Sequence, residues 1–184
     1  MKEDIQLTNG SVLLRPCRLS DLDALYEAVR ESRTELSAWM GGWWLSDYSL
    51  EECRTWLESQ AGKWGHEDSY IFAIIDPRET CLLGGCSLRI TDKSFKIADL
   101  AYWVRTSRTR QGIATAATLL LARFGFNGLQ LNRIEIDCGV DNRASQRVAE
   151  KTGATREGVL RNRLVVNGKV SDAIMFSLIP QDIC

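Results

Sequence analysis

The sequence is poor in the features that mark fibrous, disordered or membrane proteins. Its 184 residues include three prolines and one histidine, and no apolar run approaches the ~18 residues that a membrane-spanning helix requires. The first four residues lack the apolar core of a signal peptide. At the usual ~150 residues per domain, we expect one globular domain over residues 1–184, cytoplasmic and without a membrane partner.

The pattern of cysteine and histidine excludes two further classes. The six cysteines form no C-x-x-C pair, and a chain of this size does not need disulfides for stability, so we expect them to be reduced. A single histidine, His66, cannot build a histidine-rich metal site, and no metal is predicted.

The net charge of −1 hides two halves of opposite sign. Residues 1–104 carry 11 Lys and Arg against 17 Asp and Glu, whereas residues 105–184 carry 12 against 7. If the two halves meet at a cleft, one wall would attract an anion and the other a cation. Chance placement of solvated charges explains the asymmetry equally well. The near-neutral total and the lack of a recognition-helix or RNA-sheet signature argue against a nucleic-acid partner.

Hydrophobic periodicity predicts a mixed α/β layer structure. Two capping sequences, 20–23 and Ser49 to Glu52, begin helices, and Asn167-Gly168 is the signal of a tight hairpin. The predicted elements are a strand at 12–15, helices at 20–32 and from 49, strands at 70–75, 82–90 and 97–104, a helix at 112–126, a strand at 133–140, a helix at 142–152 and two final strands. Their order is β-α-α-β-β-β-α-β-α-β-β.

The most informative segment, Val104 to Thr115, leads from a strand through a basic loop into a helix. Gly112 permits a close approach of the backbone to a ligand, and the free amides of the first turn lie at the positive end of the helix dipole. Arg105, Arg108 and Arg110 add positive charge. These features predict a pyrophosphate site, although neither G-x-x-x-x-G-K-[ST] nor G-x-G-x-x-G is present. A helix start with solvated arginines is the alternative.

This loop is followed by a strand and by the pattern N-R-A-S-x-R-V-x-E-K-x-G-A-x-x-E-G, which begins at Asn142. Over nearly the whole chain the sequence resembles the GNAT superfamily of acyl-CoA-dependent N-acyltransferases. Within it, the segments from Leu14 to Leu22 and from Asn167 to Phe176 are similar to the branch of ribosomal-protein N-terminal alanine and serine acetyltransferases. The resemblance implies a single acyl-CoA N-acyltransferase domain with a mostly antiparallel sheet, splayed between the fourth and fifth predicted strands. Because such relatives often dimerise, a homodimer is left open.

The resemblance implies acetyl-CoA as the co-substrate. The pyrophosphate would lie on the loop and first helical turn, at Arg110, Gln111, Gly112, Ile113, Ala114 and Thr115, with Arg105 and Arg108 just before them. The backbone of Trp103 and Val104 would pair with the pantetheine. Asn142 would form a hydrogen bond to the pantetheine. Thr109 departs from the family pattern, which has Gln or Arg there, so that Arg108 or Arg110 would supply the charge. Asn142 also suits a helix cap.

In this family a neutral amine attacks the thioester directly, so a base and an acid are needed. Strand alternation places Glu135 and Asp137 on one face, and Asp137 has the spacing from Asn142 at which several relatives hold an acidic base. Pairing with arginines is the alternative role for both carboxylates. Ser145 matches the serine proposed to protonate the thiolate in the ribosomal-protein branch, and bonding to backbone at the helix start is its alternative.

The acceptor is not specified by any motif. The first hypothesis is the α-amino group of a protein, a ribosomal protein included. The others are a small amine such as a polyamine, an aminoglycoside or an amino-acid analogue, a non-catalytic CoA-binding protein, and a nucleic-acid-binding module. Trp39, Trp43, Trp44 and Tyr102 are the candidate residues of the acceptor pocket, and the glycines at 41 and 42 suit either a helical subcore or a mobile lid.

Overall fold

Eight strands and four α-helices are found in the computed structural model, which describes residues 5–40, 48–66 and 69–183, with the backbone alone for 61–66. The strands are β1 (Leu7–Thr8), β2 (Leu13–Pro16), β3 (Ser69–Ile75), β4 (Leu82–Asp92), β5 (Ile97–Val104), β6 (Arg133–Gly139), β7 (Thr155–Val166) and β8 (Lys169–Leu178). The helices are α1 (Leu22–Trp39), α2 (Leu50–His66), α3 (Ile113–Arg123) and α4 (Arg143–Lys151).

The strands form one sheet in the order β1-β2-β3-β4-β5-β6-β8-β7. Every neighbouring pair is antiparallel except β5 and β6, which are parallel. The mixed α/β class and the mostly antiparallel sheet predicted from the sequence are therefore confirmed.

The two faces of the sheet are covered by different helices. On β3, Phe72 and Ile74 belong to the core beneath α3 and α4, whereas Ala73 and Ile75 belong to the core formed with α1 and α2. This alternation follows from the two-residue repeat of a strand that is buried on both sides. Full burial of a side chain such as Phe72 contributes about 1.5–3 kcal/mol, so both layers stabilise the sheet.

The parallel strands β5 and β6 separate soon after they meet. They pair only through Ile97–Asp99 and Arg133–Glu135. Beyond these residues β5 continues along β4 to Val104, and β6 continues along β8 to Gly139. The result is a split in the sheet between β5 and β6, at the position that the family resemblance implies.

Several element bounds differ from the predicted ones. Helix α1 continues to Trp39 instead of ending at residue 32, because Leu36 extends its buried face. A short β1, absent from the predicted order, pairs with β2. Helix α3 ends at Arg123 in a π turn, within which a Cβ at Gly125 would come within 2.9 Å of Ile134 Cδ1. In the described ranges, no helix is long and apolar enough to cross a membrane.

Candidate active site

The start of α3 has the geometry expected of an anion site. Gly112 occupies the N-cap with φ 78°, in the left-handed region that glycine adopts at little cost. In residues 5–40, 48–60 and 69–183, no side chain caps this end, and a Cβ at Gly112 would find no atom within 4 Å. The first-turn amides of a helix have no partner within the helix, so they are available to an anion here.

Two of the three predicted loop cations are paired with acids from the other half of the chain. The Arg105 guanidinium forms an ion pair with Glu31 of α1, and Arg108 forms one with Glu79. The hydrogen bond from Arg105 lowers the pKa of Glu31 to about 2. Among the described residues, no ion pair involves Arg110, which has φ 62°. The positive charge that the loop offers a ligand is thus smaller than the sequence suggests.

Helix α1 holds the residues that lead into this loop. Glu31 Oε1 accepts a hydrogen bond from the Ser107 amide at 2.7 Å, and the fully buried Ser32 Oγ accepts one from the Thr106 amide at 2.9 Å. Glu35 bonds to the Thr106 hydroxyl at 3.1 Å. The oppositely charged halves therefore meet at this contact. No sequence motif marks Glu31 or Ser32 as residues that hold the loop, although the acidic residues of α1 contribute to the charge asymmetry.

The open edge of β5 carries Trp103 and Val104, where the family's pantetheine would pair. Both residues lie opposite glycines of β4, Gly85 and Gly84. A Cβ at Gly84 would lie 2.1 Å from the Trp103 carbonyl oxygen, and one at Gly85 would lie 2.8 Å from the indole Nε1. The Gly-Gly pair therefore allows the close approach of β4 and β5 that sets the position of this edge. Sequence analysis missed this use of two adjacent glycines.

Asn142 caps the N-terminus of α4, which is the second of the two roles expected for it. Its Oδ1 accepts a hydrogen bond from the Ser145 amide at 3.0 Å at the start of α4. The buried Gln146 follows, and its Nε2 donates to the carbonyls of Gly139 and Val140 at 2.9 Å each. These bonds fix α4 to the end of β6, beside the split.

Both candidate bases are paired with arginines. Glu135 Oε1 lies 2.8 Å from Arg133 Nε, and Asp137 Oδ2 lies 2.7 Å from Arg163 Nε. They share the face of β6 opposite the buried Ile136, as strand alternation predicts. Asp137 Oδ1 is buried and has no hydrogen-bond partner in the described part of the chain. A buried oxygen of this kind is uncommon, and it distinguishes Asp137 from Glu135 as a group able to accept a proton or hydrogen bond.

Ser145 is surrounded by hydrogen-bonding side chains from both sides of the split. Tyr102 Oη, from β5, lies 3.0 Å from both Ser145 Oγ and the Ser145 carbonyl oxygen. Cys138 Sγ, from β6, lies 3.2 Å from Ser145 Oγ. Burial raises the pKa of both neighbours, that of Cys138 to about 11, so both are neutral near pH 7. Cys138 has no recognisable motif and was missed.

Of the predicted acceptor residues, Trp39 and Tyr102 belong to the described part of the chain, where they lie in different places. Trp39 is 42% exposed and lies at the end of β6, where a Cβ at Gly139 would be 3.6 Å from its ring. Trp43 and Trp44 lie outside the described residues. The Tyr102 hydroxyl is directed at Ser145, although the residue also contributes to the wall of a cavity.

That cavity has a volume of about 190 Å³ and lies between β3–β5 and the helices α1 and α2. Its walls are mostly apolar and include Val29, Met40, Trp56 and Trp103. Its lining includes Tyr102, one of the predicted acceptor residues, and Trp56, which no sequence motif indicates because only the packing of α2 on the sheet brings it to this position. Elsewhere in the described ranges, no group of three or more His, Cys, Asp or Glu residues is placed to hold a metal ion.

A split sheet, with an uncapped helix start at the end of one strand and a hydroxyl group across the split, is the architecture of an acyl-CoA-dependent acyltransferase. The family profile described as the acetyltransferase (GNAT) domain matches residues 11–155. The chain belongs to this family and is an acetyl-CoA-dependent N-acetyltransferase.

Three similar proteins span almost the whole chain. The Bacillus subtilis (strain 168) protein YdaF is 28% identical over 95% of this chain and 94% of its own. The ribosomal-protein-serine acetyltransferase of Escherichia coli (strain K12) is 26% identical over 97% of this chain and 98% of its own. The microcin C7 self-immunity acetyltransferase MccE, solved with acetyl-CoA and AMP, is 26% identical, covers 96% and 99% of the two chains and has a TM-score of 0.85.

Proposed function

We propose that this enzyme acetylates the α-amino group at the N-terminus of a protein, with a ribosomal protein as the first candidate. The observation that carries the proposal is the split between β5 and β6, with the anion site at one end and Asp137 and Ser145 beside it. The similarity to the E. coli ribosomal-protein-serine acetyltransferase over nearly the full length of both chains supports the choice of acceptor.

In the proposed arrangement, amides from Arg110 to Thr115 bind the pyrophosphate of acetyl-CoA, and the backbone at Trp103 and Val104 pairs with the pantetheine. This binding places the thioester in the split near Ser145. Asn142 would form a hydrogen bond to the pantetheine while its Oδ1 caps α4.

Asp137 Oδ1 takes a proton from the incoming ammonium, and the neutral amine attacks the thioester carbon. A C–N bond forms and the C–S bond breaks; the sulfur takes the proton of the Ser145 hydroxyl, and the second proton that the nitrogen loses as the amide forms returns to the serine oxygen. Among the described residues, the buried Oδ1 of Asp137 has no hydrogen-bond partner, which favours Asp137 over Glu135, whose Oε1 is paired with Arg133. Arg163 holds the other oxygen of Asp137 in place.

A small amine is the second candidate acceptor. MccE, whose name does not refer to a ribosomal protein, is as similar in sequence as the E. coli enzyme. The apolar cavity of about 190 Å³ would accommodate an aliphatic or aromatic group beside the reacting amine.

A screen for thiol release from acetyl-CoA tests the proposal. N-terminal peptides of ribosomal proteins, the same peptides with a blocked N-terminus, polyamines, aminoglycosides and amino-acid analogues are offered as acceptors. We expect free peptides to be acetylated and blocked ones not. Turnover on small amines alone would replace the protein acceptor, and CoA binding without turnover on any amine would indicate a non-catalytic protein. A cytoplasmic location and a homodimer remain predictions.

A further inference from the structure

We infer that Asp172 is a positioning residue for Asp137, an inference that rests on the proposed role of Asp137 as the base. Asp172 holds a bulge in β7, and the bulge brings Arg163 to the carboxylate of Asp137. Asp172 itself takes no part in the proton transfer.

Strand β7 contains a bulge of three residues, 161–163. The regular pairing of β7 with β8 stops at Leu160 and resumes at Leu164, and a single residue of β8, Asp172, lies between their partners. Within the bulge, Asn162 has φ 53°, a left-handed conformation that asparagine tolerates better than most residues. A bulge takes backbone groups out of the ladder and changes the direction of side chains, often beside an active site.

Asp172 joins the bulge to the end of β6. Its Oδ1 accepts a hydrogen bond from the Asn162 amide at 2.8 Å, which satisfies a backbone donor within the bulge. Its carbonyl oxygen accepts another bond, from the Val140 amide just after β6, at 3.3 Å. Because a bond to a carboxylate is stronger than one between neutral groups, Asp172 holds the bulge in place beside the strand that carries Asp137.

The bulge places Arg163 on the face of the sheet where Asp137 lies. Asp137 is paired with Met175 of β8, and the side chains of directly opposed residues share a face. In a regular β7, Arg163 would lie opposite Val170. Since Val170 is an odd number of residues from Met175, Arg163 would then lie on the other face, about 17 Å further along the sheet. In the structure, Arg163 Nε lies 2.7 Å from Asp137 Oδ2, so the bulge makes this contact possible.

The contact leaves Asp137 held at one oxygen and free at the other. Arg163 fixes Oδ2, while the buried Oδ1 has no hydrogen-bond partner in the described ranges. The side chain of Arg163 is 42% exposed, so packing alone does not fix its guanidinium. Small errors in the position of a catalytic group cost much of its effect. Asp172, through the bulge, therefore sets the position of the oxygen that receives the proton.

Two substitutions at residue 172 and one control test the inference. Asp172→Ala removes the acceptor of the Asn162 amide, and kcat should fall about tenfold, with the Kd for acetyl-CoA and the KM for the acceptor unchanged. Asp172→Asn keeps an oxygen acceptor and should restore kcat to within about threefold of wild type. Asp92→Ala is the matched control, because Asp92 Oδ1 accepts a bond from the Phe95 amide at 2.8 Å in the turn before β5. It should retain the wild-type kcat.

A double-mutant cycle and a deletion separate positioning from stability. In the background of Arg163→Ala, D172A should cause no further loss of kcat. Deletion of residues 161 and 162 would restore a regular ladder in which Arg163 lies opposite Asp172 and faces away from Asp137. This variant has no bulge to support, so it should fold even if D172A does not, and its kcat should equal that of R163A.

Each contrary result overturns a stated part. If the losses multiply in the R163A background, or if D172N restores nothing, Asp172 supports only the fold and the inference is wrong. A wild-type kcat in the deletion variant would overturn it as well. If Asp137→Asn keeps the wild-type kcat, the proposed base is wrong and the positioning role falls with it. A wild-type kcat in D172A, beside an inactive D137N, removes the positioning role alone and leaves the proposed function standing.

Discussion

The two sides of the active site differ in the part of the chain that would contact the ligand. On the acetyl-CoA side, the proposed anion site consists of backbone amides at the start of α3, and the edge of β5 would offer backbone groups. On the proposed acceptor side, the cavity walls are side chains from α1, α2 and three strands. Recognition by backbone requires glycine at particular positions, whereas an apolar wall accepts many side chains of similar volume.

The acetyl-CoA side and the side of Asp137 also differ in their electrostatics. Around the loop, Arg105 and Arg108 are already paired with Glu31 and Glu79, so dipoles and amides provide most of the attraction for phosphate. Across the split, the Asp137 side chain has a buried oxygen that no hydrogen-bond partner from the described residues reaches. The acetyl-CoA side is therefore expected to control binding, and the other side to control the chemical step. Substitutions on the two sides should separate these parameters.

The largest effect is expected at Asp137. Asp137→Asn preserves the shape and an acceptor for Arg163 but removes the base, and kcat should fall by about 10²-fold or more. Glu135→Gln is the matched control on the same strand and should change kcat less than threefold. Steady-state kinetics and acetyl-CoA calorimetry measure both. Equal losses in the two variants would mean that strand electrostatics, and not one base, set the rate.

The next largest effect, on the binding of CoA, is expected at Gly112. Gly112→Asp places a negative charge where phosphate oxygens would lie, and the Kd for CoA should rise about 100-fold. Gly112→Asn has the same shape, tolerates the left-handed backbone equally well, and lacks the charge. Calorimetry of both variants separates charge from strain. Unchanged affinity in folded G112D would exclude this loop as the phosphate site.

A smaller effect is expected in the cavity. Trp56→Leu enlarges the acceptor side without touching β5, and the KM for the acceptor should rise about tenfold, the effect of losing roughly 1.4 kcal/mol of apolar contact. The Kd for acetyl-CoA should not change. An unchanged KM for the acceptor would contradict this prediction and place the acceptor elsewhere on the sheet.

The smallest effect is expected at Glu31. Its pKa, about 2 against an ordinary value of 4.5, is lowered by Arg105, so its contribution to stability is present above pH 4.5 and is lost as the pH falls toward 2. Glu31→Gln should raise the Kd for CoA about threefold and reduce the difference in melting temperature between pH 7 and pH 3. Glu27→Gln, an exposed change one turn away on α1, should do neither.

These differences explain what could be predicted from the sequence. The strand-loop-helix around Gly112 was predictable, because a change from two-residue to helical periodicity is a local signal, whereas the split was expected only from the family resemblance. The ion pairs of Arg105 and Arg108 were not predictable, because their partners are 74 and 29 residues away in the chain. Local spacing contains no information on such contacts.

The acceptor side depends on contacts of the same long-range kind. Trp56 and Trp103 line the cavity together with the predicted Tyr102, whereas Trp43 and Trp44 lie outside the described residues. Which aromatic side chain faces a cavity depends on how α2 packs on the sheet. The Tyr102 hydroxyl reaches Ser145, 43 positions away, only because β5 and α4 flank the same split.

The seam between β5 and β6 has a consequence for cooperativity. Three residue pairs, Ile97–Asp99 with Arg133–Glu135, join a five-stranded part of the sheet to a three-stranded part. A connection this narrow allows the two parts to open as separate units in native-state hydrogen exchange. A pantetheine arm bonded along the edge of β5 would act as an added strand. The slowing of amide exchange should then be concentrated between Leu100 and Val104, in the part of β5 that β6 does not pair.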